Sequence, residues 1–329
     1  MTNITVAVIS SNNKYEYLRE TLSCLKRVNA AVFVVLNGFN KNIAAFLAET
    51  KSTYPNLDYL VVNEKIEKSS ARNISVENIK SDIIYFLDDD AFFTDDNIKI
   101  LQDKFFRYPF VGVIGGPNLT PENSTRFEKI TGIMLSTYFL SWKMSRRYQR
   151  FGNDRLTDDS ELILCNLAVK KEIFKKYNLR FEKKLHYNEE NLLIEQIKKN
   201  NIKVMYTPDL SVYHHRRNSI EEFSLQVFNS GKGRALMLFF MPSSIRFIYV
   251  LPALFVIYLA YSLLFTTKFI LLAIYILLTV NNIANAFFNN KLKIKDIPLM
   301  FLISFSAHLF YGIGFIAGVF QGIIWKLKK

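Results

Sequence analysis

Short apolar runs alternate with amphipathic stretches through the first part of the chain. Residues 4–10 (ITVAVIS) form a β-branched run that stops at Ser10, Ser11, Asn12 and Asn13, as a buried parallel strand stops in a ligand-facing loop. Tyr17, Leu18, Thr21, Leu22 and Leu25 then recur at helical spacing, and residues 31–36 (AVFVVL) are strand-like again, closing on the turn signal Asn37-Gly38. A helical stretch over residues 43–51 leads to a third run at residues 57–62. A polar segment with Ser69, Ser70, Ala71, Arg72 and Asn73 precedes a fourth run at residues 82–87 (DIIYFL). Strands alternating with helices predict an α/β fold with a mostly parallel sheet covered on both faces. Ligands of such sheets bind beyond the carboxyl ends of the strands, so the loops at residues 10–13, 37–39 and 88–90 are expected to face one crevice.

Beyond residue 110 the pattern loosens. Residues 111–118 (VGVIGGPN) read as a strand into a Gly-Pro turn. Residues 127–152 mix aromatics with Lys129, Lys143, Arg146, Arg147 and Arg150 and read as a membrane-proximal, acceptor-side subregion. Residues 162–169 resume a strand-like pattern, 186–200 read as a helix opened by Asn188, and 203–206 and 211–214 as short strands. Gly231, Lys232, Gly233 and Arg234, followed by an apolar run to Met241, read as a basic-apolar junction at a membrane surface.

The composition changes after Arg246. Residues 245–265 and 269–288 are each about 20 residues of mostly apolar chain, the length needed to cross a hydrocarbon core, while residues 297–325 are longer and must tilt, bend or add an interfacial stretch. The expected division is an α/β domain over residues 1–240 and a membrane domain over 241–329 with two or three spans. Lys291, Lys293 and Lys295 fit a cytosolic loop if the first two spans form a hairpin, whereas Lys326, Lys328 and Lys329 fit one only if the third segment re-enters.

The whole chain has 329 residues, half of them hydrophobic, which is too much for one soluble core. Its net charge of +13 suits nucleic acid or anionic lipid. Beside membrane segments, and with no nucleic-acid motif, the lipid surface is the expected partner, at about 1 kcal/mol per well-placed Lys or Arg. Two cysteines, Cys24 and Cys165, cannot build a disulfide framework, and no secretory signal opens the sequence, so the first domain is expected in a reducing cytosol.

The chemistry concentrates at Asp88, Asp89 and Asp90, three consecutive carboxylates delivered by an apolar strand into the expected crevice. Side-by-side like charges need compensation, and a hard divalent cation, Mg²⁺ or Mn²⁺, held by carboxylates and diphosphate oxygens supplies it. A solvated acidic turn is the plain alternative.

With that triplet the chain resembles glycosyltransferase family 2 enzymes of the GT-A fold, through ITVAVISSNN, SSARNISVENIKSDIIYFLDDDAFF and HYNEENLLIEQIKKNNIKVMYTPDLSVYHHRR, over residues 1–240. The resemblance implies a Rossmann-like sheet with flanking helices, followed here by the transmembrane helices. It implies metal ligation by Asp88 and Asp90, with Asp89 on ribose or sugar, and donor contacts from Arg72 and Asn73, where an Arg makes planar charge-assisted bonds. Ser10, Asn12 and Asn37 fall where the donor nucleotide lies, and Leu36 stands where the family commonly has an acidic residue reading the base. Gly116, in Gly115-Gly116-Pro117-Asn118, matches a turn beside the sugar, or is a plain turn. The catalytic Glu-Asp element corresponds to Glu189-Glu190. Glu190 is then the expected base, kept ionised by the helix dipole, and Glu189 a second carboxylate at the site or a contact to the acceptor sugar. Among His214, His215, Arg216 and Arg217, His214 is the expected additional metal ligand and Arg216 the expected diphosphate contact.

The expected activity is an inverting, metal-dependent hexosyl- or deoxyhexosyltransferase, moving a sugar from a nucleotide-sugar donor to a lipid-linked or envelope polysaccharide acceptor at the cytosolic face of a prokaryotic plasma membrane. Two rivals stay open. A membrane-bound nucleotidyltransferase would also use carboxylates and Mg²⁺, though no Gly-rich, Lys-containing signature follows the first strand. A catalytically degenerate scaffold is motivated by Leu36, Glu190 and Gln196, the last standing where related chains often have Arg.

Overall fold

The computed structural model describes residues 2–11, 15–265, 269–289 and 291–328; Asn12 and Asn13 lie outside them. Packing divides the chain into two compact units. The first comprises Met1–Pro121, Arg146–Lys184 and Glu189–His215, the second Glu122–Ser145, Leu185–Asn188 and Arg216–Lys329.

The first unit contains strands β1 (Ile4–Ser10), β2 (Ala31–Asn37), β3 (Leu57–Val62), β4 (Ile83–Asp88), β5 (Ala91–Phe92), β6 (Val111–Gly115), β7 (Asn118–Leu119), β8 (Arg155–Leu156), β9 (Asn166–Lys170), β10 (Lys203–Tyr206) and β11 (Val212–His214). Eight of them form one sheet in the order β3-β2-β1-β4-β9-β6-β10-β8. The β3-β2-β1-β4 half is parallel, as the run-and-helix pattern requires. β9 then enters antiparallel to both β4 and β6, so the sheet is mixed. Register pairs Ser10 with Leu36, Asn37 with Val62 and Ile9 with Asp88, so four parallel strands end side by side.

Alternation along these strands builds two cores. Val6, Val8, Val34, Leu36, Tyr85 and Leu87 face Leu18, Leu22 and Leu25 of α1 (Tyr15–Arg27), Ile43 and Leu47 of α2 (Lys41–Thr53), and, once α3 (Lys68–Asn78) has crossed the other face, Leu101 and Phe105 of α4 (Asn97–Arg107). Ala7, Ile9, Val35, Ile84 and Phe86 face Ala71 of α3. Each large apolar side chain fully buried this way is worth about 1.5–3 kcal/mol.

Three local expectations change. The polar segment at residues 69–73 lies inside α3, where Ser69, Ala71, Arg72, Asn73 and Ser75 are all buried; tertiary contact overrides weak propensity. Residues 162–165 are not strand, and only Asn166–Lys170 pairs. Asn188 does not cap the following helix. It sits at φ 64°, outside the extended backbone of an N-cap, and its side-chain amide donates to the Ser230 carbonyl at 2.7 Å.

The second unit is helical: α5 (Arg126–Leu135) and α6 (Tyr138–Ser141) precede, in chain order, the first unit's α7 (Lys171–Lys176) and α8 (Glu189–Lys199), after which come α9 (Ile220–Phe240), α10 (Phe247–Phe265), α11 (Ile270–Phe288) and α12 (Ile297–Leu327). Ile173 and Phe174 of α7 and Leu193, Ile194 and Ile197 of α8 complete the second core of the sheet. Among the described residues three helices, α10, α11 and the α12 segment, are long and apolar enough to cross a membrane. The basic-apolar stretch at residues 231–240 forms the second half of α9, with Gly231, Gly233, Arg234, Ala235, Leu236 and Met237 buried. A Cβ at Gly231, Gly314 or Gly318 would lie 2.2, 2.0 or 2.4 Å from the carbonyl oxygen of Tyr311, Phe228 or Lys232, so α9 and α12 touch backbone to backbone.

Candidate active site

β4 ends at Asp88, and two residues later β5 pairs antiparallel with β11, setting His214 opposite Ala91. That pairing carries an imidazole from late in the chain to the acidic triplet: His214 Nε2 lies 2.9 Å from Asp90 Oδ1. Asp88, Asp90 and His214 each offer a ligand atom within 4.8 Å of the others. Two carboxylates and an imidazole, all partly accessible, fit a Mg²⁺- or Mn²⁺-type ion that keeps room for further oxygen ligands.

Asp89 has a different environment from its neighbours. Its carboxyl is pushed up to about 7, first by burial and then by the charges of Asp90 and Asp88, while the Ser10 hydroxyl and Lys68 pull it back. Ser10 itself is buried at the end of β1.

Arg72 projects from α3 between two carboxylates. One guanidinium nitrogen donates to Glu189 Oε1 and the other lies 3.8 Å from Asp88 Oδ1. Arg72 and Glu189 are both buried. A desolvated pair of this kind holds together because either partner alone would be an uncompensated interior charge. The bridge ties the end of β4 to the first turn of α8.

Glu190 is the next residue of that turn. Burial pushes its carboxyl up to about 7, Glu189 adds to the rise, and Arg147 and Arg72 oppose it. A carboxyl poised near neutrality is suited to take a proton from a hydroxyl.

The remaining expected residues divide by what they touch. The Asn37 side chain donates to the Ile66 carbonyl at 2.8 Å and accepts from the Ile66 N–H at 2.9 Å. Asn73 does the same with Phe181, at 2.9 Å each way. Both carboxamides imitate a strand pairing and pin a loop. A Cβ on Gly116 would lie 1.8 Å from the Leu210 carbonyl oxygen, so that face of the glycine is filled by protein backbone. His215 stacks on Tyr17 at 4.3 Å and pairs with Glu20 at 2.7 Å, a structural role on α1. Arg216 opens the second unit, where its N–H donates to Glu128 Oε1 at 3.2 Å.

Sequence reasoning missed the support behind Glu190. Buried Arg147 donates to the carbonyls of Asp159 and, at 2.8 Å, Ser160, and Asn191 donates to the same Asp159 carbonyl at 3.0 Å. Glu161, beneath this loop, takes Arg155 at 2.7 Å and also Arg146. Three arginines converging on an acidic run, Asp158-Asp159-Ser160-Glu161, were visible in composition, but nothing local marked their pairing.

A family model described as Glycosyl transferase family 2 matches residues 5–177. No curated protein matches the chain. Among solved structures, the mannosyltransferase PcManGT from Pyrobaculum calidifontis, in complex with GDP-Man and Mn²⁺, aligns at TM-score 0.57 and 12% identity over 97% of this chain and 88% of that one. GalNAc-T7 with UDP, GalNAc and Mn²⁺ aligns at TM-score 0.49 and 12% identity over 71% of this chain and 47% of that one.

Proposed function

The chain belongs to glycosyl transferase family 2, and from that premise we propose that it transfers a sugar, with inversion, from a nucleotide-sugar donor to a lipid-linked or envelope polysaccharide acceptor. The observation that carries the reading is the cluster of Asp88, Asp90 and His214 at the end of β4, bridged by Arg72 to the Glu189-Glu190 turn. Asp88, Asp90 and His214 would hold Mn²⁺ or Mg²⁺, the former being the ion bound with GDP-Man in the Pyrobaculum calidifontis enzyme. When bound, such an ion offsets the negative charge that gathers on a departing nucleoside diphosphate.

The protein's own groups do the rest. Glu190 accepts the acceptor hydroxyl's proton on its carboxylate as the oxygen attacks the anomeric carbon, and one displacement inverts that centre. Arg72 fixes Glu189 and thereby the turn that aims Glu190. Arg147 and Asn191 brace the same turn through the Asp159 carbonyl. Three helices able to cross a membrane support an acceptor at the bilayer surface, with the catalytic unit on the cytosolic side of a prokaryotic plasma membrane, where nucleotide sugars are made.

The test is a panel of sugar nucleotides on the purified full chain in detergent, with and without Mn²⁺, read by thermal stabilisation, since a ligand that binds only the native state raises its stability. One sugar nucleotide should stabilise the chain with Mn²⁺ and slowly release nucleoside diphosphate, and Asp90→Ala should lose the Mn²⁺-dependent part. Pyrophosphate release instead would turn the reading to nucleotidyl transfer.

A further inference from the structure

The second unit carries fifteen Lys and Arg against five Asp and Glu, which is most of the chain's net charge of +13. Three of those cations gather on two rings. The Arg234 guanidinium of α9 lies 4.3 Å from the centre of the Tyr249 ring, near the start of α10. Tyr249 meets Trp142 edge to face at 6.3 Å. Over Trp142 lie the Lys143 ammonium at 5.2 Å and the Arg246 guanidinium at 5.8 Å.

Two further features set this cluster apart from ordinary packing. Trp142 is held at φ 49°, ψ −138°, a conformation that bulky residues rarely adopt. Arg246 directly precedes α10, on which Phe247, Leu251 and Leu254 are exposed at helical spacing. A cationic, aromatic head therefore adjoins an open apolar face, the shape of an amphiphile's binding surface. Trp and Tyr favour the same headgroup level of a bilayer.

We propose that Lys143, Arg234 and Arg246, ranged on Trp142 and Tyr249, bind the phosphate headgroup of a membrane lipid whose tail runs along the Phe247, Leu251 and Leu254 face of α10. Arg234, 2% exposed, forms the floor of the site, and Lys143 and Arg246, partly exposed, form its rim. Guanidinium groups match phosphate oxygens in a planar fork and the ammonium adds a point charge. The inference rests on the membrane reading of α10–α12 and not on the transfer chemistry.

The experiment measures binding of farnesyl phosphate, farnesol and inorganic phosphate to the full chain in detergent, with no nucleotide sugar present. Farnesyl phosphate should bind roughly tenfold or more tighter than either of the others. At about 1 kcal/mol per rim cation, the double variant Lys143→Gln/Arg246→Gln should weaken it roughly 20–30-fold. The charge-matched double variant Lys291→Gln/Lys293→Gln should stay within about twofold, because the cations ranged on the two rings are Lys143, Arg234 and Arg246. Equal binding of farnesol, binding of inorganic phosphate as tight as that of the lipid, or equal loss in both double variants would each overturn the site. The comparison among probes on the unaltered chain decides the matter even if the rim variant does not fold. Failure here leaves donor binding and transfer untouched, so the two readings fall separately.

Discussion

Removing the Arg72 guanidinium tests the bridge on which the catalytic turn depends. In Arg72→Met the side chain keeps much of its length, but Glu189, whose side chain is 6% exposed, loses its close partner. Asp88 is 37% exposed and 3.8 Å away, so it loses little. Breaking a buried pair from one side costs about 3–5 kcal/mol. For a unit of this size each kcal/mol moves Tm by roughly 2–4 °C, so the melting temperature should drop by roughly 6–20 °C. Glu189→Gln alone strands the arginine and should cost a similar amount. The double variant Arg72→Met/Glu189→Gln, which leaves no unpaired interior charge, should recover much of the loss, giving a coupling energy above about 1 kcal/mol. Thermal unfolding of the four proteins in detergent at one fixed pH measures it. A drop of no more than about 2 °C in Arg72→Met, or strictly additive losses, would refute the reasoning, since the pair would then behave like a surface contact.

Glu190→Gln should keep donor binding and lose transfer by roughly 10²–10⁴-fold, the usual contribution of a positioned base. Because the active form of Glu190 is the ionised one and its carboxyl is raised to about 7, transfer by the unaltered chain should climb with pH up to about 7 and level off above, as a rate profile would record. Gly318→Ala places a methyl group 2.4 Å from the Lys232 carbonyl and should cost about 1–3 kcal/mol of thermal stability as α9 and α12 are forced apart; an unchanged Tm would deny the close crossing. Lys104 is clamped by Asp154 at 2.7 Å and Asp209 at 2.6 Å. Burial tends to raise the Asp154 carboxyl, but Lys104 and the Thr207 and Tyr108 hydroxyls hold it below its ordinary 3.8. A lowered carboxyl contributes stability above its unfolded value that is lost as pH falls through its folded one. Acid titration of Tm should therefore show a loss below about pH 4 that is smaller in Lys104→Met.

What the sequence disclosed and what it hid follow from the range of the forces involved. β1, β2 and β4 were legible because each is a short apolar run buried on both faces, β3 because it keeps the spacing of the alternation although half-exposed, and Asp88 and Asp90 because they lie at and just past the end of β4. α3 was hidden because its Ser- and Asn-rich stretch earns its helicity from buried contacts, not propensity. The antiparallel entry of β9 leaves no mark in a five-residue run. Arg72 and Glu189 were each singled out, but their pairing spans 117 positions, and periodicity does not reach that far. Asn37, ending β2, and Asn73, inside α3, add a further lesson: a carboxamide is equally fit for a nucleotide base or a backbone, and their clamps on Ile66 and Phe181 depend on a proximity that no local pattern encodes.

The length of α12 has one more implication. Thirty-one residues of helix run about 46 Å, some 16 Å beyond the hydrocarbon of an ordinary bilayer. Its later turns, around Gly314 and Gly318, lie against Phe228 and Lys232 of α9, a helix too polar to count as a span. One face of the surplus, at Gly314, Gly318 and Gly322, is thus covered by α9, while Phe320, Ile323, Ile324 and Leu327 on its other faces stay exposed. Shortening the chain before Gly314 should leave α10 and α11 as spans and still strip α9 of its partner, so anchoring and folding are separable properties of the chain.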